Sequence, residues 1–234
     1  DSLCAYLTIN MQFSVIIPTL NESTSLVHSL KELLTTIENP SQVDIILCDG
    51  GSDDDSLQRV KQFPLTILNS PKGRALQMNA GAQQAKGDWL VFLHADTRLP
   101  ENWMELIQHC KGEWGRFDVR LSGHHWLFRI IEKAMNLRSR KTSIATGDQV
   151  LFFKPAFFQK LGGFPEIPLM EDIAISKLAR TFCLASCIPQ QVITSSRRWE
   201  KNGILRTVAL MWFLRLAYWV GTKPDKLHRL YYSS

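Results

Sequence analysis

A short apolar run that ends in a carboxylate constrains this chain more than any other stretch. Residues 89–93 are five consecutive apolar residues, and His94 and Asp96 follow directly. A run of this length, bounded by polar residues, is typical of a buried strand in a parallel sheet. Ligands of open α/β sheets bind just beyond the carboxyl ends of such strands, where a carboxylate can hold a divalent metal. A turn residue at a strand exit looks the same, so Asp96 alone leaves both interpretations open.

Earlier apolar runs repeat this arrangement. We predict strands at residues 13–18, 43–48 and 65–68, and a helix from about residue 74 to residue 85. Strands that alternate with helices of this length indicate βαβ units and a parallel sheet.

Polar residues follow three of these strands, at 19–22, 49–53 and 94–96. The carboxyl ends of parallel strands share one edge of the sheet, so we expect the three groups to meet there. Each group alone is weak evidence, because Asn, Asp and Gly are ordinary turn residues. Together they indicate a nucleotide site.

The composition is that of a folded domain. The chain has 234 residues, 45% hydrophobic and 21% charged, which excludes a disordered class. Its five cysteines include no CxxC pair, so we expect no zinc site and reduced thiols in the cytoplasm. No basic region precedes an apolar core at the start, so no signal peptide is expected. Residues 1–10, which precede Met11, are expected to lie outside the fold.

Positive charge is concentrated towards the end of the chain. The net charge is +5, yet from residue 197 onward there are eight Lys and Arg residues against two acidic ones. A basic segment of this kind attracts phosphates, anionic lipid or nucleic acid, or is simply a solvated surface. We expect no nucleic acid partner, because the segment lacks interleaved aromatic and basic residues on a sheet.

Four motifs occur in an order and at spacings that resemble family 2 glycosyltransferases: VIIPTLNE, CDGGSDD, the run Gly73-x5-Asn79-x-Gly81, and FLHADT. The likeness covers about residues 13–200. The compact length and the HADT variant look like a small bacterial branch of that family, associated with radical-SAM or selenium-related gene neighbourhoods.

The resemblance implies a GT-A fold, an α/β architecture of three α/β/α layers with a mainly parallel central sheet. It implies a single domain over residues 11–234. Within it we expect a nucleotide-sugar half (11–112), an acceptor and base half (113–203), and a C-terminal apolar helix with a basic tail (204–234).

The resemblance also implies roles for residues of the first half. Pro18 and Glu22 would border the nucleotide, and Asp49 would accept a hydrogen bond from the uracil N3–H. Asp53 would lie near the nucleotide, and Arg74 would contact the diphosphate.

The metal site departs from the usual family pattern. Asp96 matches the last carboxylate of the family's DxD motif and would bind Mg²⁺ or Mn²⁺ that bridges the diphosphate. His94 stands where the first Asp of that motif would be. An imidazole brings no fixed negative charge, so we expect His94 to lie near the nucleotide rather than on the metal.

The second half is expected to supply the acceptor site. We predict a strand at residues 115–121 and a helix at 126–140. Gly147 and Asp148 resemble the family's acceptor-side loop, and Glu171 and Asp172 match its ED motif before a helix. Acidic residues at a helix N-terminus also complement the helix dipole, without any catalytic role.

Asp172 is the predicted catalytic residue. Inverting transfer needs a base that removes the proton of the acceptor hydroxyl as its oxygen attacks the anomeric carbon. General-base catalysis of this kind contributes a factor of roughly 10²–10⁴ in rate.

Arg198 and Trp199 resemble the end of the family's QxxRW element, with the Gln missing from its usual place. Arg198 would pair with the diphosphate through its planar fork, and Trp199 would form the floor of the acceptor pocket. The shortened motif argues against a processive polymerase.

Residues 204–221 are the most apolar segment. Arg206 and Arg215 would fall on opposite faces of a helix there, and each would cost about 2.5–3.5 kcal/mol at a bilayer centre, so a transmembrane helix is not expected. A helix packed in the core and a helix lying on a membrane surface both fit. The second case would bring peripheral membrane contact through residues 204–229, at the inner face of the membrane.

The sequence therefore predicts an inverting, metal-dependent and non-processive glycosyltransferase. It would move one sugar from a UDP-sugar to an unidentified acceptor of lipid-like character. Two alternatives stay open: a non-catalytic nucleotide-sugar-binding protein, favoured by His94, and a nucleotidyltransferase. The glycine-rich loop that nucleotidyltransferases carry after the first strand is absent here.

Overall fold

The computed structural model describes residues 11–232, so the predicted tail 1–10 lies outside the described residues. The strands are β1 Phe13–Thr19, β2 Val43–Asp49, β3 Thr66–Asn69, β4 Trp89–Phe92, β5 Thr97–Arg98, β6 Trp114–Leu121, β7 Leu151–Phe153 and β8 Ser186–Thr194. The α-helices are α1 Ser23–Thr35, α2 Ser56–Val60, α3 Arg74–Gln84, α4 Trp103–Gln108, α5 Trp126–Thr142, α6 Pro155–Lys160, α7 Glu171–Ala179, α8 Arg197–Asn202, α9 Ile204–Trp219 and α10 Pro224–Tyr232. Two short 3₁₀ helices cover Pro40–Gln42 and Gly147–Gln149.

These strands form one sheet in the order β3-β2-β1-β4-β7-β6-β8-β5. The first four are parallel to one another. Strand β7 is antiparallel to both β4 and β6, β8 is parallel to β6, and β5 is antiparallel to β8. Six of the eight strands therefore run in one direction, and β7 and β5 run against them. The sheet is mixed, although mainly parallel as predicted from the sequence.

Strand β7 runs against the parallel strands on either side of it. Leu151, the first residue of β7, pairs with Phe92, the last residue of β4. Strand β7 therefore starts at the edge where the parallel strands end, an edge that we call the rim. The βαβ pattern of the first half does not extend to β7, and as a result the segment before β7, with Gly147 and Asp148, lies at the rim.

Helices cover both faces of the sheet, as a three-layer architecture requires. In β1, Val15 and Ile17 contribute to a core shared with α1, α4 and α5, whereas Ile16 belongs to a second core shared with α3, α6 and α7. This alternation follows from the two-residue period of a strand. A third, smaller cluster joins α7, α9 and α10 around Leu214 and Leu227.

The run Gly73-x5-Asn79-x-Gly81 positions α3. The side chain of Asn79 donates to the carbonyl of Phe164 (2.8 Å) and accepts from its N–H (2.9 Å). A Cβ at Gly81 would come within 2.5 Å of Ile16, so only glycine permits this approach of helix to strand. The motif thus holds α3 against the sheet and against the loop before α7.

Candidate functional site

The loop after β2 is closed by Asp49, the last residue of that strand. This buried carboxylate accepts hydrogen bonds through Oδ2 from the backbone N–H groups of Gly51 and Ser52, each 2.9 Å long. Its Oδ1 accepts from the hydroxyl of Ser52. A carboxylate has about four acceptor sites, so capacity remains for another donor. Asp49 lies at the rim as expected, and its contact with a nucleobase stays a prediction.

Asn21 ties the loop after β1 to the loop after β2. Its Oδ1 accepts from the N–H of Asp53 (3.0 Å), and its own N–H donates to the hydroxyl of Ser52 (2.9 Å). The N–H of Glu22 donates to the hydroxyl of Ser56 (3.0 Å). The two loops therefore form one hydrogen-bonded unit, with the side chain of Asp53 exposed on it.

Gln77 hydrogen-bonds to the ends of the two strands that carry these loops, and the sequence analysis did not name Gln77. The buried amide of Gln77 donates to the carbonyls of Thr19 (2.6 Å) and Cys48 (2.8 Å), at the ends of β1 and β2. Pro18 pairs with Cys48 in the same register, just before the loops begin. Gln77 lies inside the motif that starts at Gly73, so its position in that motif was the available signal.

Asp172 lies in the first turn of α7. Its Oδ2 accepts a hydrogen bond from the backbone N–H of Gly147 (2.8 Å), and its Oδ1 accepts from the N–H of Ile173 (2.7 Å). Burial and the neighbouring Glu171 carboxylate raise the pKa of Asp172 to about 6, against the opposing effect of the two N–H donors and Arg74. A carboxylate with a raised pKa is a stronger base than an ordinary one.

His94 packs directly on the backbone of Gly147. A Cβ at Gly147 would lie 2.4 Å from the imidazole ring, so glycine is required by this contact. His94 Nδ1 lies 3.6 Å from Asp148 Oδ1. Burial alone would raise the pKa of Asp148, but the hydrogen bond and charge of His94, with Arg74 and Arg198, hold that pKa below its usual value. His94, Asp148 and Gly147 therefore lie together at the rim, and Gly147 hydrogen-bonds to Asp172.

Arg74 begins α3 and reaches the same group. Its Nη1 lies 3.7 Å from Oε1 of Glu171, whose side chain is buried. Glu171 therefore holds the guanidinium beside Asp172 and Asp148, where it can meet an anionic group of a ligand.

Residues with strained backbone flank this group. Val150 and Met170 have φ angles of 50° and 72°, in the left-handed region that non-glycine residues rarely adopt. Val150 follows the Gly147–Gln149 turn, and Met170 directly precedes Glu171. Strained backbone clusters at functional sites, and here it surrounds the sequence-predicted base.

His94 and Asp96 face two different cavities. His94 and Asp172 line a cavity of about 10 Å³. Asp96 lines a separate cavity of about 300 Å³ together with Arg98, Thr194 and Arg197. The larger volume is at the lower end of ligand-binding clefts. The structure does not bring Asp96 into the cavity of Asp172, although the sequence assigns both to one site.

Arg197 lines the larger cavity, whereas the sequence favoured Arg198. Arg197 Nη2 lies 4.0 Å from Oε2 of Glu22. Arg198 instead stacks on the ring of Tyr231 (3.6 Å) and donates to its carbonyl (3.2 Å). Trp199 is partly buried in α8 and lines neither cavity, so the structure gives no sign of its predicted role.

Arg138 was also missed by sequence reasoning. Its Nε and Nη2 are buried without a hydrogen-bond partner within residues 11–232. Burial lowers the pKa of Arg138, and the nearby Asp172 carboxylate opposes that effect. Neither Arg138 nor Tyr231 belongs to a recognisable sequence motif. Tertiary contacts alone bring these two residues to the site.

A divalent metal has one suitable carboxylate at the larger cavity. Asp96 Oδ1 accepts a long hydrogen bond from the Thr97 hydroxyl (3.5 Å), which leaves acceptor capacity for a cation. Over the described part of the chain, no three His, Cys, Asp or Glu side chains cluster as a metal site. Mg²⁺ commonly takes one or two carboxylates plus substrate phosphates and water, so Asp96 fits a metal that arrives with a diphosphate.

Solved structures share this architecture. The chain aligns with the TarS fragment from S. aureus with a TM-score of 0.65 and 19% identity, over 80% of this chain and 61% of that one. It aligns with the mannosyltransferase PcManGT from Pyrobaculum calidifontis, in complex with GDP-Man and Mn²⁺, with a TM-score of 0.62 and 19% identity, over 80% and 57% of the two chains. At this identity the likeness concerns the GT-A fold.

Curated relatives match a shorter part of the chain. An undecaprenyl-phosphate 4-deoxy-4-formamido-L-arabinose transferase from Pseudomonas savastanoi pv. phaseolicola is 33% identical over 96 residues, 37% of this chain and 28% of the relative. A PGL/p-HBAD biosynthesis glycosyltransferase from Mycobacterium tuberculosis is 33% identical over 96 residues, 38% of this chain and 37% of the relative. The matches span about a third of the length of these relatives.

The family model "Glycosyl transferase family 2" matches residues 14–158, which is more than half of the chain and includes every rim segment from β1 to β7. The chain belongs to glycosyl transferase family 2.

Proposed function

We propose that this protein transfers one sugar, with inversion, from a UDP-sugar to an acceptor hydroxyl, with Asp172 as the base. The proposal rests on the carboxylate of Asp172. It accepts a hydrogen bond from the N–H of Gly147, and the pKa of Asp172 is raised to about 6. The family match supports transfer from a nucleotide sugar. TarS has been crystallised with UDP and with UDP-GlcNAc, which supports a uridine donor.

In this reaction the oxygen of the acceptor hydroxyl forms a bond to the anomeric carbon as the bond from that carbon to the diphosphate breaks. The hydroxyl proton passes to Asp172, and UDP leaves with the electron pair of the broken bond. At pH 7 a group with a pKa of about 6 is mostly ionised and ready to accept the proton. The N–H of Gly147 orients the carboxylate without removing its basicity.

Cationic side chains would receive the diphosphate. We assign Arg74, held by Glu171, and Arg197, beside Asp96, to the negative charge of the leaving group. Arg198 would join them on release from Tyr231. Asp96 would hold Mg²⁺ or Mn²⁺, which supplies positive charge to the leaving diphosphate.

The uridine would lie over the hydrogen-bonded loops of β1 and β2, bordered by Pro18, Glu22 and Asp53. Asp49 retains acceptor capacity for the uracil N3–H after its three loop bonds. His94 would face the nucleotide or sugar from its position on Gly147.

The test is calorimetric titration with UDP, UDP-glucose, UDP-galactose, UDP-N-acetylglucosamine and GDP-mannose, each with Mn²⁺ and with a chelator. Metal-dependent binding of one UDP-sugar is expected, with slow release of UDP when water serves as the acceptor. Binding without any turnover would favour the non-catalytic nucleotide-sugar-binding alternative. Binding of a nucleoside triphosphate in place of every nucleotide sugar would favour a nucleotidyltransferase.

The acceptor belongs to the same proposal. The matched relative from Pseudomonas is named for transfer to undecaprenyl phosphate, and the exposed apolar face of α9 supports a lipid-like acceptor here. The sequence carries three further proposals. The chain would belong to the small bacterial branch, it would divide into three parts at residues 112 and 203, and it would act in the cytoplasm at the inner face of the membrane.

A further inference from the structure

Helix α9 exposes one continuous apolar stripe. Apart from Arg206, the exposed side chains of α9 and of Val220 directly after it are apolar and recur at helical spacing: Leu205, Ala209, Trp212, Phe213, Leu216, Trp219 and Val220. At about 100° per residue they fall within an arc of about 120°. Trp212 and Trp219 are 71% and 74% exposed, which is unusual for residues of this size on a free surface.

The opposite face of α9 is anchored in the protein. Leu214 is fully buried and packs with Met170 and Ile173, the residues on either side of Glu171 and Asp172. Lys177 of α7 lies over the ring of Tyr218 (4.9 Å). The orientation of the stripe is therefore set by contacts beside the candidate base, and the stripe faces away from them.

Two arginines flank the stripe. Arg206 and Arg215 are nine residues apart, which places them at opposite edges of the apolar arc. Helix α9 contains no acidic residue, and the segment from residue 197 onward carries eight Lys and Arg residues against Glu200 and Asp225. The inner face of α9 is apolar as well, because it packs in the protein, so the membrane argument rests on the exposed face alone. That face combines apolar and aromatic side chains with basic edges, which suits the headgroup boundary of a membrane.

The charge of α9 favours a bilayer over a second copy of the chain as the partner that covers the stripe. Pairing of two α9 stripes would bring basic edges together with no carboxylate on either helix to neutralise them. The headgroups of anionic lipids supply that negative charge. Over residues 11–232 no helix is long and apolar enough to cross a membrane, so the stripe would lie on the bilayer rather than through it.

We infer that α9 docks this protein on the surface of an anionic lipid bilayer, with Trp212, Phe213, Leu216 and Trp219 inserted and Arg206 and Arg215 at the headgroups. Docking in this orientation leaves α9 between the bilayer and the start of α7, since the inner face of α9 packs on Met170 and Ile173, the neighbours of Glu171 and Asp172. The inference does not depend on the transfer reaction, because binding to lipid needs neither donor nor acceptor.

The test is flotation of the full chain with vesicles of equimolar phosphatidylcholine and phosphatidylglycerol, compared with phosphatidylcholine alone. We expect binding to the anionic vesicles that weakens as NaCl is added. The double variant Trp212→Glu/Trp219→Glu should reduce affinity by about tenfold or more. Arg206→Gln and Arg215→Gln should each reduce it by about fivefold, on anionic vesicles only.

Leu184→Glu is the matched control, because Leu184 is 75% exposed near the start of β6, at the opposite end of that strand from the rim. It should bind vesicles as the unchanged chain does. Circular dichroism and thermal unfolding should show all variants folded, since none of the substituted side chains is buried. Equal loss in the Leu184→Glu variant, salt-independent binding to both vesicle types, or a dimer abolished by Trp212→Glu with no vesicle binding would each overturn the inference.

Discussion

The two halves of the rim use their polar side chains in different ways. Beside β1 and β2, Asp49 hydrogen-bonds within its own loop and Asn21 bonds to that same loop from the loop after β1, so the carboxylate and amide shape a surface. Beside β4 and β7, Asp172 keeps a raised pKa although it also accepts two N–H bonds. The first half is a preformed frame for a ligand, and the second holds a group prepared for proton transfer. Substitutions in the two halves should therefore fail in different ways.

Asp172→Asn should give the largest effect. An amide cannot accept the acceptor proton, so turnover should fall by roughly 10²–10⁴, while affinity for the UDP-sugar stays within about threefold. UDP release and calorimetry measure the two quantities. Glu166→Gln, at an exposed site in the loop before α7, is the control and should change neither. Turnover that stays within threefold in Asp172→Asn would remove Asp172 from its role.

Gly147→Ala should be next. The new Cβ would lie 2.4 Å from the His94 ring, so the loop must move and take the N–H donor away from Asp172. We expect turnover to fall about tenfold to a hundredfold through misplacement of the base, with about 1–3 kcal/mol lost from the free energy of unfolding.

Gly162→Ala distinguishes the effect of backbone strain from that of a misplaced base. Gly162 has a φ of 79°, but a new Cβ there would have nothing within 4 Å. It should cost stability with no change in turnover per folded molecule. A Gly147→Ala variant that keeps full activity would show that the contact between His94 and Gly147 does not position the base.

Gln77→Ala tests the frame in the first half. It leaves the buried carbonyls of Thr19 and Cys48 without their donor, which should cost about 1–3 kcal/mol in the free energy of unfolding. The affinity for UDP should fall as the loops loosen, whereas kcat at saturating donor should hardly change. Denaturant titration and calorimetry measure these effects, and Gln84→Ala, exposed on the same helix, is the control. A fall in kcat with unchanged UDP affinity would contradict the division between the halves.

The last prediction is a gain in stability for Asp172→Asn. A carboxyl pKa raised from 3.8 to about 6 means that the folded state binds the proton more tightly than the unfolded state. The ionised group therefore lowers stability above pH 6, by up to about 3 kcal/mol, and this cost disappears as the pH falls towards 4. The melting temperature of Asp172→Asn should exceed that of the unchanged chain at pH 7 and match it near pH 4. Equal melting temperatures at pH 7 would show that the surroundings of Asp172 do not destabilise its ionised form.

The sequence predicted most of the fold because local patterns determine it. The apolar runs of β1, β2 and β4 and the helical spacing in α3, α5 and α9 placed these elements within a few residues of their observed bounds. The antiparallel direction of β7 was not predicted, since no local pattern distinguishes a parallel strand from an antiparallel one in a three-residue run. Strand β8 was not predicted, because its alternation is interrupted by Pro189 and two glutamines.

The site was predictable only where a motif carries it. Asp49, Gly147 and Asp172 were named from short motifs, and the structure brings Gly147 and Asp172 into contact. Gln77 lies within the motif that starts at Gly73 but was not named, whereas Arg138 and Tyr231 reach the site through long-range packing that no spacing in the sequence reveals. The separation of His94 and Asp96 into two cavities depends on side-chain direction after β4, which the motif HADT does not encode.

The most direct measurement of the central claim is the pH dependence of kcat/KM for UDP release from the UDP-sugar. A base with a pKa of about 6 must be ionised to act, so kcat/KM should fall about tenfold per pH unit below about pH 6 and be level above it. The residual activity of Asp172→Asn should lack this acidic limb. A profile of the unchanged chain that stays level from pH 5 to pH 8 would contradict the assignment of Asp172 as the base.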